Sequence, residues 1–333
     1  MKALVTGGGG FLGGAIVDLL IARGDEVVSI SRGAYPELEA KGVLCFQADL
    51  ATESGRGGPL AQAIADCDIV YHVAAKAGVW GRYGDFYAAN VDATRNVIEA
   101  ALRARVPRFV YTSSPSVCFT GEDEVNASND VPYAEDFLCA YPETKSIAER
   151  LALAANGNAM AVCALRPHLI FGPGDPHLLP RLLERARSGR LRRVGLGSNE
   201  VTLSFVDNAA HAHVLAGDKL KAGSPHAGKA YFIGQEETAN LWGWLNGVLQ
   251  ELEIKPIKKS ISAPSAARVG RVMEFVWKWL FLPGEPPMTR FIAAQLGTWH
   301  TFSMQPAYDD FGYREVVPLF MATKLTVEAF RQK

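Results

Sequence analysis

A short apolar run, Ala3-Leu4-Val5-Thr6, passes at once into Gly7-Gly8-Gly9-Gly10-Phe11-Leu12-Gly13, and an apolar-periodic stretch continues to Ala22. The TGxxGxxG spacing puts glycines where a strand turns tightly into a helix and where the backbone approaches another group closely. Such a turn presents a helix N-terminus to a pyrophosphate, so it predicts a dinucleotide cradle at Gly7, Gly10, Phe11, Leu12 and Gly13. Glu26-Val27-Val28-Ser29-Ile30 reads as a second, β-branched strand. The unit spans about 30 residues, the size of one right-handed parallel crossover.

The alternation then repeats. Strands are expected at 43–47, 69–73, 108–112 and 161–166, helices at 60–65, 91–103 and 178–187, and a Gly-rich loop at 51–59. That order implies an α/β chain built on a Rossmann-type doubly wound parallel sheet. One more strand, 201–206, is expected to return to the sheet, with Asp207 capping a helix over 208–216. A dinucleotide-binding domain over 1–172, with 201–226 returning to it, and a smaller C-terminal substrate-binding subdomain over 173–200 and 227–333 follow from this division.

Tyr141-Pro142-Glu143-Thr144-Lys145 opens a further helix and sets a phenol and an ammonium four apart, on one face. A phenol holds its proton up to a pH of about 10, and a neighbouring cation lowers that value. Tyr141 can then exchange a proton with a substrate oxygen. At the end of the second strand, Ser29-Ile30-Ser31-Arg32-Gly33 offers no carboxylate for a ribose 2′-hydroxyl, while Ser31 and Arg32 suit a 2′-phosphate. NADPH is the expected cofactor, with NADH open.

The formal net charge of −1 gives no pull toward polyanions, so no nucleic-acid partner is expected. No uninterrupted apolar run is long enough to span a bilayer. Met1-Lys2 leads straight into the first strand with no room for an apolar leader, and a cytoplasmic location is expected. Cys45, Cys67, Cys118, Cys139 and Cys163 lack CxxC spacing and read as reduced, small hydrophobes. His211 and His213 lie two apart on different sides of a helix, so they are no metal pair, and no metal is expected. His168 and His177 flank the turn after the last core strand, as ordinary histidines or as borders of a substrate site.

With these residues in place, the whole chain resembles an extended short-chain dehydrogenase/reductase. The likeness rests on Gly7, Gly10 and Gly13; Asp49-Leu50; Tyr71-His72-Val73-Ala74-Ala75; Asn90; Tyr111-Thr112-Ser113-Ser114; Tyr141 with Lys145; and Arg166-Pro167-His168 through Asp175. The resemblance implies that Asp49 and Leu50 contact the adenine and that Ala74, Ala75, Lys76, Pro167 and His168 line the cofactor. It also implies that Lys145 holds the nicotinamide ribose and that Ser114 completes a catalytic set with Tyr141 and Lys145. A hydroxyl at Ser114 suits charge developing on a carbonyl oxygen. Cys118 departs from the tyrosine common at that position in nucleotide-sugar enzymes. Pro115-Ser116 replaces the Asp-Glu pair of the family's dehydratases, so dehydration is not expected.

The closer likeness is to the 3β-hydroxysteroid dehydrogenase branch, through the segment from Tyr141 to Gly157 and through Phe205-Val206-Asp207-Asn208-Ala209-Ala210-His211. Within it, Ala74 to Gly81 and the block from Gly172 to Asn199 look most like bacterial reductases of 2-alkyl-3-oxoalkanoates in olefin biosynthesis. That likeness implies reduction of a 3-oxo acid with long alkyl arms. Sterol dehydrogenase and nucleotide-sugar epimerase chemistry are the alternatives. The apolar stretch 272–282 fits a hydrophobic substrate and reads equally as a core helix, a lid or a membrane-surface contact. Contact with another pathway enzyme and homodimerisation also stay open.

Overall fold

The computed structural model describes residues 1–53 and 55–331. Ser54, in the expected loop over 51–59, and Gln332 and Lys333, at the end of the expected second subdomain, lie outside the described residues. A seven-stranded parallel sheet is built from β1 (Lys2–Thr6), β2 (Glu26–Ser31), β3 (Leu44–Gln47), β4 (Ile69–His72), β5 (Arg108–Thr112), β6 (Ala161–Pro167) and β7 (Ala230–Ile233). Its order is β3-β2-β1-β4-β5-β6-β7, and every neighbouring pair is parallel. The order reverses between β1 and β4, which is where a doubly wound sheet opens a crevice at its strand ends.

Helices cover both faces. On one, α1 (Phe11–Ala22) buries Leu12, Ile16, Val17 and Leu20 with strand residues such as Ala3 and Val5. On the other, α2 (Ala93–Arg103) buries Val97, Ile98 and Ala101 beside Ala148 and Ala152 of α3 (Ala140–Ala154). A third apolar cluster joins α4 (Leu178–Arg187), α6 (Leu241–Glu251), α7 (Ala263–Trp279), α8 (Arg290–Gly297) and α9 (Leu319–Arg331), with Phe205 just ahead of α5 (Val206–Lys219).

The strand expected at 201–206 does not enter the main sheet. Val201 pairs with His300 and Ala239, while Ser204 and Phe205 pair with Ile170 and Phe171. The seventh strand is β7, inside the segment expected to belong wholly to the second subdomain, and Ala307, Phe311 and Tyr313 also join the first cluster. All four β7 residues are buried; a buried parallel strand is a continuous apolar run without alternation, so its sequence carries no period to read. Asp207 sits in the first turn of α5, which starts two residues earlier than a cap at Asp207 requires, with Phe205 in the cap position. Asn208 is the polar anchor there: its Oδ1 accepts from Val316 N and Val317 N, both at 2.9 Å.

Candidate active site

The glycine loop is shaped by contacts that exclude a side chain. Gly7 has φ +70°, and a Cβ there would lie 3.1 Å from Ala74 Cα; at Gly13 it would lie 2.2 Å from the Gly7 carbonyl oxygen. Helix α1 begins with no side-chain cap and no acid in its first turn. Its leading N–H groups and positive dipole end therefore stay available to an anion. A cleft of about 640 Å³ adjoins this loop, lined by Gly7, Gly10, Phe11, Leu12 and Gly13, then by Ser31, Arg32, Asp49 and Leu50. Ala74, Ala75, Pro167, Ser114, Tyr141 and Lys145 complete the expected residues along it. An uncapped helix N-terminus beside a cleft of this size fits a dinucleotide.

The end of β2 also fits a larger 2′ substituent. Ser31 Oγ is buried without a hydrogen-bond partner, and Arg32 is exposed at the cleft with its carbonyl held by Gln47 Nε2 at 2.8 Å. Tyr35, which sequence reasoning passed over, lies so close that a Cβ on Gly9 would sit 2.3 Å from its ring. The one available signal was an aromatic residue three positions after Arg32.

Two expected cofactor residues do not line the cleft. Lys76 turns its ammonium to Asp85 at 3.7 Å and over the Phe86 ring. Its backbone is clamped by Asn90, which accepts from Lys76 N at 2.7 Å and donates to Thr144 Oγ1 at 3.0 Å. That bridge ties the loop after β4 to α3. His168 follows Pro167 and, by strand alternation, faces the other way. It is buried with Nδ1 2.7 Å from Thr202 O, and burial holds its ring neutral, down to about 4.

Ser114, Tyr141 and Lys145 do come together. Ser114 follows β5 and caps the short turn Pro115–Val117, where its Oγ accepts from Ser116 N and Ser116 Oγ at 3.3 and 2.9 Å. Tyr141 is the second residue of α3 and borders both the cleft and a smaller cavity together with Ser114. One turn on, Lys145 Nζ donates to Thr112 O at 2.6 Å and stands 4.2 Å from the Tyr111 ring centroid. Burial raises the Tyr141 phenol against the lowering contact from Ser114, and burial pushes Lys145 down to about 7. The expected depression of the phenol by Lys145 does not arise; desolvation is the leading influence on both groups and disfavours the charged form of each.

A second cavity of about 150 Å³ shares Ser114, Tyr141 and Leu169 with the cleft. Phe119, Phe291 and Phe302 make it apolar, while His168, Glu124 and Gln295 give it a polar side. Burial pushes the Glu124 carboxyl up to about 7. Sequence reasoning missed Glu124 because it reaches this place only through pairing with His300, far along the chain.

Beneath the site, Glu149 accepts from Arg166 Nε and Nη2 at 2.9 and 2.6 Å and from Tyr133 Oη at 2.6 Å, with both ion-pair partners buried. Glu149→Gln leaves a buried guanidinium facing a neutral amide, and should cost about 2–3 kcal/mol of stability. Urea denaturation of the two proteins checks this, and an unchanged midpoint would contradict it.

Comparison with known proteins follows the same outline. Residues 4–262 match the model of the 3-beta hydroxysteroid dehydrogenase/isomerase family. A 2-alkyl-3-oxoalkanoate reductase of Stenotrophomonas maltophilia is 48% identical over 94% of each chain. The human sterol-4-alpha-carboxylate 3-dehydrogenase, decarboxylating, is 34% identical over 99% of this chain and 88% of its own. Among solved structures, a UDP-glucuronic acid 4-epimerase from Bacillus cereus in complex with NAD superposes with a TM-score of 0.74. It covers 100% of this chain and 99% of its own at 22% identity, and so speaks for the fold alone.

Proposed function

The chain belongs to the 3-beta hydroxysteroid dehydrogenase/isomerase family, and we propose that it is an NADPH-dependent reductase of a long-chain 2-alkyl-3-oxoalkanoate, giving the 3-hydroxy acid. That it is an NAD(P)-dependent oxidoreductase follows from the family. The observation that carries the finer reading is the position of Ser114 and Tyr141, which border both the dinucleotide-sized cleft and the apolar cavity. The 48% identical reductase supports the substrate class.

When bound, the nicotinamide cofactor supplies hydride to the ketone carbon. Ser114 Oγ donates to the ketone oxygen and orients it. As negative charge develops there, Tyr141 Oη gives up its proton, so the oxygen becomes a hydroxyl. The raised pKa keeps the phenol protonated at neutral pH, as a proton donor must be. Lys145, fixed by Thr112 O, stands one helical turn from the phenolate that remains. A cavity of about 150 Å³ accommodates the reacting head. Whole-ligand pockets run to roughly 300–1,000 Å³, so the alkyl arms would extend beyond it.

The 34% identity to a sterol dehydrogenase favours a second reading, a sterol 3-ketone at the same three residues. A screen of long-chain 3-oxo acids, 3-ketosteroids and nucleotide sugars, followed by loss of NADPH absorbance, decides between them. The acids should be the fastest substrates by far; turnover confined to steroids or nucleotide sugars would overturn the proposal.

The cofactor preference rests on Arg32 and on the missing acid at Ser31. A guanidinium meeting a 2′-phosphate gains about 1.5–3 kcal/mol, an expected NADPH preference of roughly tenfold to a hundredfold. Arg32→Ala should erase most of it, and Ser31→Asp added to that change should invert it by repelling the phosphate and bonding the free ribose hydroxyl. Steady-state kinetics with both cofactors are the check; a wild-type enzyme favouring NADH would remove Arg32 from this role.

A further inference from the structure

The proposed chemistry leaves α7 unexplained. The helix meets the protein through Ala266 and Gly270, the latter so closely that a Cβ would fall 2.6 Å from the Thr289 carbonyl carbon. Its other face carries Val272, Phe275 and Trp279, which are 62%, 60% and 67% exposed. The chain then continues through Leu280 and Phe281, 65% and 91% exposed. The core-helix alternation left open by the sequence is therefore excluded. Monomeric proteins rarely leave so continuous an apolar stripe uncovered.

Charge accompanies the stripe. Arg268, Arg271 and Lys278 are exposed on the same side of the helix, and none of them enters an ion pair among the described residues. Glu274, the sole acid of α7, is taken up by Arg290 N and Nε at 2.6 and 2.8 Å. At the tip, Phe281 has φ +49°, an uncommon conformation for an aromatic residue, and its ring projects outward.

We propose that α7 and the turn through Phe281 form a membrane-contact element that lies in the surface of an anionic bilayer. Aromatic side chains beside exposed arginine and lysine are the pattern of an interfacial helix, with the rings at the acyl boundary and the cations among the headgroups. Aromatic rings this exposed, flanked by cations without ion-pair partners among the described residues, match the negative charge and apolar boundary of an anionic bilayer surface. No helix among the described residues is long and apolar enough to cross a membrane, so the contact is peripheral. Packed behind α7, α8 carries Phe291 and Gln295 onto the cavity beside Ser114. The bilayer surface and the reacting head of a lipid substrate would thus lie on two sides of one helix pair. That last step rests on the proposed substrate; the membrane contact itself does not.

The test is flotation of the full chain with vesicles of pure phosphatidylcholine and with vesicles holding about one part phosphatidylglycerol in four. Wild-type protein should float with the anionic vesicles and release at high salt. Phe275→Ser/Trp279→Ser/Phe281→Ser should lose at least about tenfold in partitioning, and Arg271→Glu/Lys278→Glu should lose the salt-sensitive part. The triple variant should keep its melting temperature and its turnover of a short, water-soluble 3-oxo acid. Absence of flotation, or flotation indifferent to the triple change, would overturn the proposal. So would a self-association or a specific protein complex that the triple variant abolishes without vesicles. Wild-type protein that floats but reduces no long-chain acid would sink the substrate reading and leave the membrane contact standing.

Discussion

Tyr141→Phe should lower kcat by about two to four orders of magnitude, the usual worth of a positioned proton donor, while NADPH affinity changes by less than about twofold. Tyr141 is half-buried at the start of α3 and borders the cleft beside Ser114. Removing one oxygen deletes the transferable proton and keeps the ring's packing. Ser114 still orients the ketone, so substrate affinity should fall little, and the loss should fall on kcat rather than KM. Rapid-mixing kinetics and cofactor titration separate the two. A fall in NADPH binding equal to the fall in rate would show that Tyr141 holds the cofactor and is not the donor.

The second large effect is at Lys145. Lys145→Met should abolish turnover and weaken NADPH binding together, because in the proposed function one ammonium serves both the phenol and the nicotinamide ribose. It should also change how stability depends on pH. In the folded protein burial brings the Lys145 pKa to about 7, against about 10.4 in an unfolded chain. Between those values the unfolded chain binds the extra proton, so folding stability rises with pH; below about pH 7 the penalty is present in full. Its full size is on the order of 4–5 kcal/mol, at about 1.4 kcal/mol for each pH unit between the two values. Urea denaturation of the cofactor-free wild-type protein should therefore give a higher midpoint near pH 9 than near pH 6, and Lys145→Met should flatten that difference. An equal slope in both proteins would mean that Lys145 stays charged when buried.

Backbone constraint made the first half of the chain legible. Gly7 and Gly13 tolerate no Cβ, and a strand precedes and a helix follows them, so their spacing betrays the turn directly. Tyr141 and Lys145 were equally visible, since one helical turn separates them. What the sequence hid depends on contacts between distant segments. Glu124 becomes a cavity residue only by pairing with His300, and β7 is a four-residue buried run without a period. The stretch 272–282 reads alike whether its apolar face is inside or out, and only the packing of Ala266 and Gly270 decides which side turns to solvent. Local pattern likewise cannot tell that Lys76 is drawn away by Asp85 and Phe86.

The central claim is net transfer of hydride to the ketone of a long-chain 3-oxo acid at Ser114, Tyr141 and Lys145. Reduction of a 2-alkyl-3-oxo acid with NADPH carrying deuterium at both hydrogens of the nicotinamide C4, read by mass spectrometry of the product, tests it most directly. The account predicts one deuterium on carbon 3 of the 3-hydroxy acid per cofactor oxidised with wild-type enzyme, and essentially none with Tyr141→Phe. Cofactor that returns unoxidised while a nucleotide sugar epimerises, or labelled product formed equally well by Tyr141→Phe, would contradict it.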